Sequence, residues 1–395
     1  MGTTLVVDPG SSSRKYALYK DGQSVLELRF EKTDNGYELC SQLAGVQQIC
    51  EAIKESQFIG SFDYVAESVN AHMLRMLAGK KLDTIAVRIV APGTYFQHHA
   101  EISDEYINNL KKRESTAPLH IPVILRELNA IKKHYPQVKV IAASDSAFHS
   151  EIPSKAREYS ISRTDSNQFD IHRFGYHGLS VASVVRRIHS LIGIDPERLI
   201  CCHIGNGVSV TAVKNGKSVE TSMGFSPSSG LPMGSRAGDL DAAALLELMR
   251  AKNLRPAEAE LYINTSGGLS GIANDSDIRR LLDRKAQNDA IANQALNVFA
   301  YNIQKAVAAQ TVALGGLDVL VLTATAAVRS SELRSLILND LAHLGVQISK
   351  DRNDLLIGKE GVISVRNSQI KVVVMKTDEM GEIAQVASQF NLVLN

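Results

Sequence analysis

Apolar residues near the start of the chain come in strand-length runs, and each run stops at a cluster of turn formers. In "TLVVDPGSSSRKYALYKDGQSVLE", Thr4 to Glu27, the first run ends at Asp8, passes through Pro9, Gly10 and three serines, and resumes as an alternating strand. Pro9 fixes φ, Gly10 allows backbone conformations other residues resist, and the serines add hydroxyls to a row of backbone N–H groups. The pattern suits a loop that cradles an anion, and a plain polar hairpin fits it equally well. The same order of features recurs in "RLICCHIGNGVSVTAVKNGKSVET", about half a chain later. Gly205 answers Gly10, and Asn215-Gly216 answers Asp21-Gly22 within a one-residue gap. Both dipeptides, set between alternating runs, predict two-residue hairpins, because a type I′ turn needs φ > 0 at both central positions. Two related lobes would explain the repeat, and so would two unrelated hairpins that share turn chemistry.

Elsewhere the period changes between two and 3.6. "KLDTIAVRIVAPGTYF" and "QVKVIAASDSAFHS" carry apolar runs of strand length, while "EYINNLKKR" and "PVILRELNAIKKHY" have helical spacing. Further on, "DAAALLELMRAK" and the long "DAIANQALNVFAYNIQKAVAAQTVALGG" predict helices, the second closed by a glycine pair. "LDVLVLTATAAV" reads as a buried strand and "DEMGEIAQVASQF" as the closing helix. Strands alternating with helices in both halves predict mixed α/β lobes with a parallel component.

The chain has 395 residues, more than one hydrophobic core usually organises, which independently argues for two domains. A net charge of +1 gives no reason to expect nucleic acid or an anionic membrane surface as a partner. No apolar run approaches the roughly 20 residues a membrane helix needs, and "MGTTLVV" lacks a basic region before its apolar stretch. A cytoplasmic protein is therefore expected. Cys40, Cys50, Cys201 and Cys202 show no CxxC spacing, so they are read as free thiols acting as small core residues.

Five stretches fit neither period and mix Gly, Pro, His and Arg at strand ends. They are "AVRIVAPGTYF" with Arg88, "APLHIP" with His120, "SDSAFHS" with Asp145, "FGYHGLS" with His177 and "TSMGFSPSSGLPMGSRAGDLD" with Arg236. Two arginines, two histidines and a carboxylate beside two glycine loops suit phosphoryl transfer, in which a protein mainly positions reactants and neutralises developing charge.

With these stretches in order, the chain resembles the acetate kinase family, a branch of the superfamily of sugar kinases, actin and heat-shock chaperone ATPases. The family pattern N-A-G-S-S-S-x-K stands here as "DPGSSSRK", R-V-V-H-G-G as "RIVAPG", A-P-L-H-N-P as "APLHIP" and F-D-T-A-F-H as "SDSAFH". Y-G-F-H-G-x-S is "FGYHGLS", H-L-G-N-G is "HIGNG", and the long D-T-S-M-G-F segment is "ETSMGFSPSSGLPMGSRAGDLD". The resemblance runs from residue 4 to about residue 384. It implies an α/β fold, the duplicated two-lobe actin-like ATPase (ribonuclease H-like) plan with a central cleft. The lobes would be 1–147, closed by a C-terminal helix at about 383–395, and 148–382, which would carry nucleotide-binding and dimerisation elements.

The resemblance also implies a chemistry: reversible transfer between ATP and acetate or propionate, giving an acyl phosphate and ADP by direct in-line attack. Arg88 would hold the substrate carboxylate, with Val90, Leu119, His120, Tyr176 and Pro227 around it. Asp145, His177 and Arg236 would be catalytic. Gly10, Ser11, Ser13, Lys15, His203, Gly205, Asn206, Gly207, Asp277, Arg279, Thr325 and Arg329 would bind nucleotide or phosphate. Asp8, where the family has Asn, and Glu379 would attend Mg²⁺ or Mn²⁺, and the molecule would be a homodimer. Tyr176 replaces a family Phe and brings a hydroxyl that wants a partner when buried. The family's F-T-A-G-I-G-E-N-S loop stands here as "LTATAAVRS", with Thr325 and Ala327 at the two glycines. Added Cβ atoms there predict weaker backbone contact with the nucleotide. A different donor such as pyrophosphate, or a retired ligand-binding paralogue, stays open on these residues.

Overall fold

A computed structural model describes residues 2–33, 35–76 and 81–392. The chain divides into two compact units, Met1–Ala147 with Asp378–Asn395, and Phe148–Thr377. Residues 378–382 group with the first unit, next to the closing helix expected from about 383. The closing helix runs unbroken over Glu379–Leu392 and sets Ile383, Val386 and Ala387 against the first unit's sheet. Positions 393–395 of the expected closing segment lie outside the described residues.

The first unit's sheet contains β1 (Thr3–Pro9), β2 (Ser13–Lys20), β3 (Gln23–Thr33), β4 (Gly36–Leu43), β5 (Ile49–Ile53), β6 (Thr84–Ile89), β7 (Ala100–Glu101) and β8 (Lys139–Ser144). Their order is β5-β4-β3-β2-β1-β6-β8-β7. The second unit's sheet contains β9 (Arg198–Ile204), β10 (Val208–Lys214), β11 (Lys217–Thr221), β12 (Val319–Thr323), β13 (Gly361–Val362) and β14 (Lys371–Met375), in the order β11-β10-β9-β12-β14-β13. Each sheet therefore holds the same five-strand plan. An antiparallel meander, β3-β2-β1 or β11-β10-β9, leads into two parallel strands, β6-β8 or β12-β14. The hairpin turns match too, with φ of 51° and 82° at Asp21-Gly22 and 50° and 78° at Asn215-Gly216.

Burial explains the continuous apolar runs. Leu5, Val6, Val7, Ile85, Ala86 and Val87 are fully buried in the first unit, as are Ile200, Cys201, Cys202, Leu320, Val321 and Leu322 in the second. A central parallel strand covered on both faces has no use for alternation. The long helix Ala290–Leu314 ends at Gly315 with φ 72°, the left-handed cap its glycine pair predicts.

Two expectations are corrected. Cys40 and Cys50 are disulfide-bonded, not free thiols, because antiparallel pairing of β4 with β5 sets them directly opposite each other. Cys201 and Cys202 remain free and buried, and burial pushes the Cys201 thiol up to about 12. The strand read through "LDVLVLTATAAV" stops at Thr323, and Ala324–Arg329 form a short helix where a strand end and loop were expected. Ala324, at φ 68°, makes the turn, and Ala327 and Val328 fold inward. Among the described residues, no helix is long and apolar enough to cross a membrane.

Candidate functional site

In the first unit, the parallel run of β1, β6 and β8 brings their C-terminal ends side by side, with Val7 beside Val87 and Arg88 beside Ala143. Open α/β sheets place ligands at these ends. Arg88 donates to Asp8 Oδ1 at 3.2 Å and to Asp145 Oδ2 at 3.0 Å. Lys15, across the hairpin from Asp8, lies 3.7 Å from its other oxygen. Burial opposes the Arg88 charge, but Asp145, Asp8 and Glu379 outweigh it and hold the guanidinium protonated. Burial raises the Glu379 carboxyl; Arg88 and Lys15 oppose that rise, and Asp8 and Asp145 add to it. Asp145, Asp8 and Glu379 thus all act on the one guanidinium. The Arg88 Nε–H is buried without a hydrogen-bond partner, so the guanidinium retains a donor.

The loop after β1 is built tightly. A Cβ on Gly10 would collide with the Ser13 carbonyl oxygen, so the loop closes only around glycine. Ser11 is exposed, and the Ser13 hydroxyl is buried with no hydrogen-bond partner. An orphaned hydroxyl in a glycine loop suits an oxyanion ligand. Val90 is buried, while Leu119 and His120 are half-buried at the start of the helix Ile121–His134. His99, which the sequence motifs did not single out, accepts from the Ser144 N–H at 3.1 Å through Nδ1 and so anchors the residue before Asp145. Burial, reinforced by His98, lowers its pKa to about 4, so it stays neutral and able to accept.

Among the described residues, only Glu38, Cys40 and Cys50 bring three possible ligand atoms within 4.8 Å of one another, and both sulfurs are spent in the disulfide. Asp8 and Glu379 do not form a direct ligand cage. Their hard oxygen donors fit a cation such as Mg²⁺ held through its water shell.

In the second unit, the turn after β9 is the centre. His177, in the left-handed conformation at φ 58°, starts the helix Gly178–Ile192. Its Nδ1 pairs with Ser209 Oγ at 3.0 Å, His203 Nδ1 pairs with Ser180 Oγ at 2.8 Å, and the two rings stack with centroids 4.0 Å apart. A Cβ on Gly207 would lie 2.9 Å from His177 Nε2 and 3.7 Å from an Arg236 nitrogen, so glycine keeps this approach open. Arg236 donates to the Pro227 carbonyl at 3.1 Å. Gly205 faces Ala324, and Asn206 approaches Gly234. The chain thus gathers His177, His203, Arg236 and the Gly205–Gly207 turn into one cluster. Ser180 and Ser209 were not foreseen; Ser180 sits three residues after His177, one helical turn on, which is the signal that marks it.

Other expected residues are placed less centrally. Tyr176 is buried, and its hydroxyl donates to the Phe225 carbonyl at 2.7 Å, so the extra oxygen is satisfied within the protein. Asp277 caps the helix Ile278–Ala286 and pairs with Arg279 at 2.6 Å, so these two engage each other. Thr325 and Arg329 are exposed on the short helix, whereas Ala327 is fully buried. Arg334 secures that helix from inside, donating to the Ala327 and Val328 carbonyls.

One five-strand order is built twice, with a glycine turn after the first strand of each meander, which defines a duplicated α/β plan. The chain belongs to the acetokinase family, whose sequence model matches residues 3–385. It is 38% identical over 403 residues to an acetate kinase of Dictyoglomus thermophilum, covering 96% of this chain and 97% of that protein. Among solved structures, an acetate kinase of Porphyromonas gingivalis is 30% identical with a TM-score of 0.85 and full coverage of both chains. A propionate kinase of Francisella tularensis subsp. tularensis is 28% identical with a TM-score of 0.88, covering 98% of this chain and 99% of its own.

Proposed function

We propose that this protein is a short-chain carboxylate kinase, transferring a phosphoryl group reversibly between ATP and acetate or propionate to give an acyl phosphate and ADP. The observation that carries this reading is family membership over residues 3–385, since the family's activity is ATP-dependent phosphorylation of acetate. The acceptor is already ionised near neutral pH, so its oxygen attacks phosphorus directly and needs no general base. Arg88, with an N–H to spare, binds and orients that carboxylate, and Asp145 fixes the guanidinium plane. His177 and Arg236, oriented by Ser209 and the Pro227 carbonyl, meet the transferring phosphoryl group and stabilise its charge in the transition state. The Gly10–Ser13 loop and the Gly205–Gly207 turn are each a phosphate-binding turn of their own unit. Asp8 and Glu379 would hold Mg²⁺ through water, and the ion would supply charge neutralisation at the phosphates.

A second copy of the chain is the proposed partner. Val312, 83% exposed, lines a groove of about 1210 Å³ on the second unit, where Tyr301 and Leu261 are also 61% and 56% exposed, and this apolar surface supports pairing through that unit. The deciding experiment offers purified protein acetate, propionate and butyrate with ATP, GTP or pyrophosphate, and traps acyl phosphate as hydroxamate. Product with acetate or propionate and ATP is expected. Product only with pyrophosphate would replace the donor, and none with any pair would overturn the reading.

A further inference from the structure

Period-two alternation along β2 sends Ser13 and Lys15 to the loop side of the sheet and Arg14 and Tyr16 to the other, where both are buried. Arg14 is 2% exposed and reaches across the interior of the first unit. Its Nη1 donates to the Ile59 carbonyl at 2.9 Å, to Ser61 Oγ at 3.0 Å and to Glu127 Oε1 at 3.2 Å, and its guanidinium carbon lies 4.8 Å from the Phe58 ring centre. Tyr16 contacts the same Glu127 oxygen at 3.2 Å and Ser61 at 2.7 Å. Glu127 is 1% exposed and belongs to the helix Ile121–His134, whose N-cap residue is His120. Arg14 also pairs across the hairpin with Pro9, so holding Arg14 holds both ends of the Gly10–Ser13 loop.

We propose that Arg14 and Glu127 are positioning residues: a buried ionic strut that sets the phosphate loop against the helix carrying His120. This rests on the reading of that loop as a phosphate site. Stability is a poor account of the pair, because a buried ion pair gains little over an apolar replacement, and here the network is incompletely satisfied. Arg14 Nε and Glu127 Oε2 have no hydrogen-bond partner. Burial lifts Glu127 to about 7 despite Arg14, Tyr16 and Arg126, with Asp63 adding to the rise, so the pair sits close to losing its charge. What such a pair supplies is geometry. Together with the Tyr16 contact, it fixes two elements separated by more than 100 residues to each other, and the motif that marks the loop leaves position 14 unspecified.

The test uses the full chain and the double variant Arg14→Met with Glu127→Leu, which fills the space without leaving a charge unpaired. Thermal unfolding should stay close to that of the parent. The KM for ATP should rise about tenfold, because the loop no longer meets the phosphates in register, while the KM for acetate stays within about twofold. Amide hydrogen exchange at residues 10–13 should speed up by a similar factor. A loss of active molecules alone would lower kcat and leave both KM values in place. Unchanged ATP KM and unchanged exchange in the folded double variant would overturn the proposal. If the parent makes no acyl phosphate, the kinase reading fails first, and the exchange measurement still decides whether the strut holds the loop.

Discussion

At the ends of β1, β6 and β8, Arg88 is held between Asp8 and Asp145, with Lys15 beside Asp8 and Glu379 close enough to feel their charge. Around the turn after β9, His177, His203 and Arg236 are oriented by Ser209, Ser180 and the Pro227 carbonyl. The strand order beneath the two clusters is the same, but the first is tied by ion pairs at strand ends and the second includes hydroxyl-anchored imidazoles around a glycine turn. A carboxylate partner both orients a cation and cancels part of its charge, whereas the Ser209 and Ser180 hydroxyls fix the imidazole rings without adding charge. The first arrangement suits a site that takes in a cation with its ligands. The second suits one that faces a phosphoryl group directly. Topology alone therefore assigns neither role, and the division of labour lies in what each side chain leans on.

That contrast can be broken by making one truncation in both places. Arg88→Ala should have the largest effect on stability, about 3 to 5 kcal/mol by chemical denaturation, because it leaves Asp8 and Asp145 buried without their shared cation. Arg236→Ala removes the hydrogen bond to the Pro227 carbonyl, and it should stay folded and lose about 10²-fold in kcat with little change in the KM for the acid. If the two variants lost stability equally, the ion pairs of Arg88 would not be what sets the first cluster apart. Gly207→Ala comes next. Its Cβ would press on His177 Nε2 from 2.9 Å, and turnover should fall about tenfold while circular dichroism stays unchanged. The smallest effect is expected from Ala327→Gly, which restores a glycine of the family loop. Because Ala327 is buried inside the short helix, the change should cost about 1 kcal/mol of stability and leave ATP affinity by calorimetry unaltered. Tighter ATP binding would mean that the backbone at 327 meets the nucleotide after all.

Turn chemistry made the duplicated meanders legible in the sequence, since Asp-Gly and Asn-Gly between alternating runs leave few other solutions. Asp8, Arg88 and Asp145 were legible for a related reason: each closes an apolar strand, and parallel pairing then brings the three ends together. Residues whose meaning depends on a distant neighbour were not. The Cys40–Cys50 link depends on the register of β4 with β5, and no local signal separates that register from its alternatives. The helix Ala324–Arg329 was hidden because an Ala-rich segment after an apolar strand fits either period over so short a length. His99 and Ser209 matter through single hydrogen bonds to residues far away in sequence, and composition carries no trace of such bonds.

The helix Glu379–Leu392 belongs to the unit that begins at the N-terminus, so the chain writes the whole of Phe148–Thr377 between that unit's other elements and the helix that covers them. On the ribosome, β1, β6 and β8 are made early and then wait while the second unit emerges, a pause of roughly tens of seconds at about 5–20 residues per second. Throughout that interval the apolar face later met by Ile383, Val386 and Ala387 has no cover from its own chain. The second unit, whose sequence is continuous, has no such wait. Nascent chains arrested before residue 378 should therefore present a protease-resistant second half and a first half that a chaperone holds.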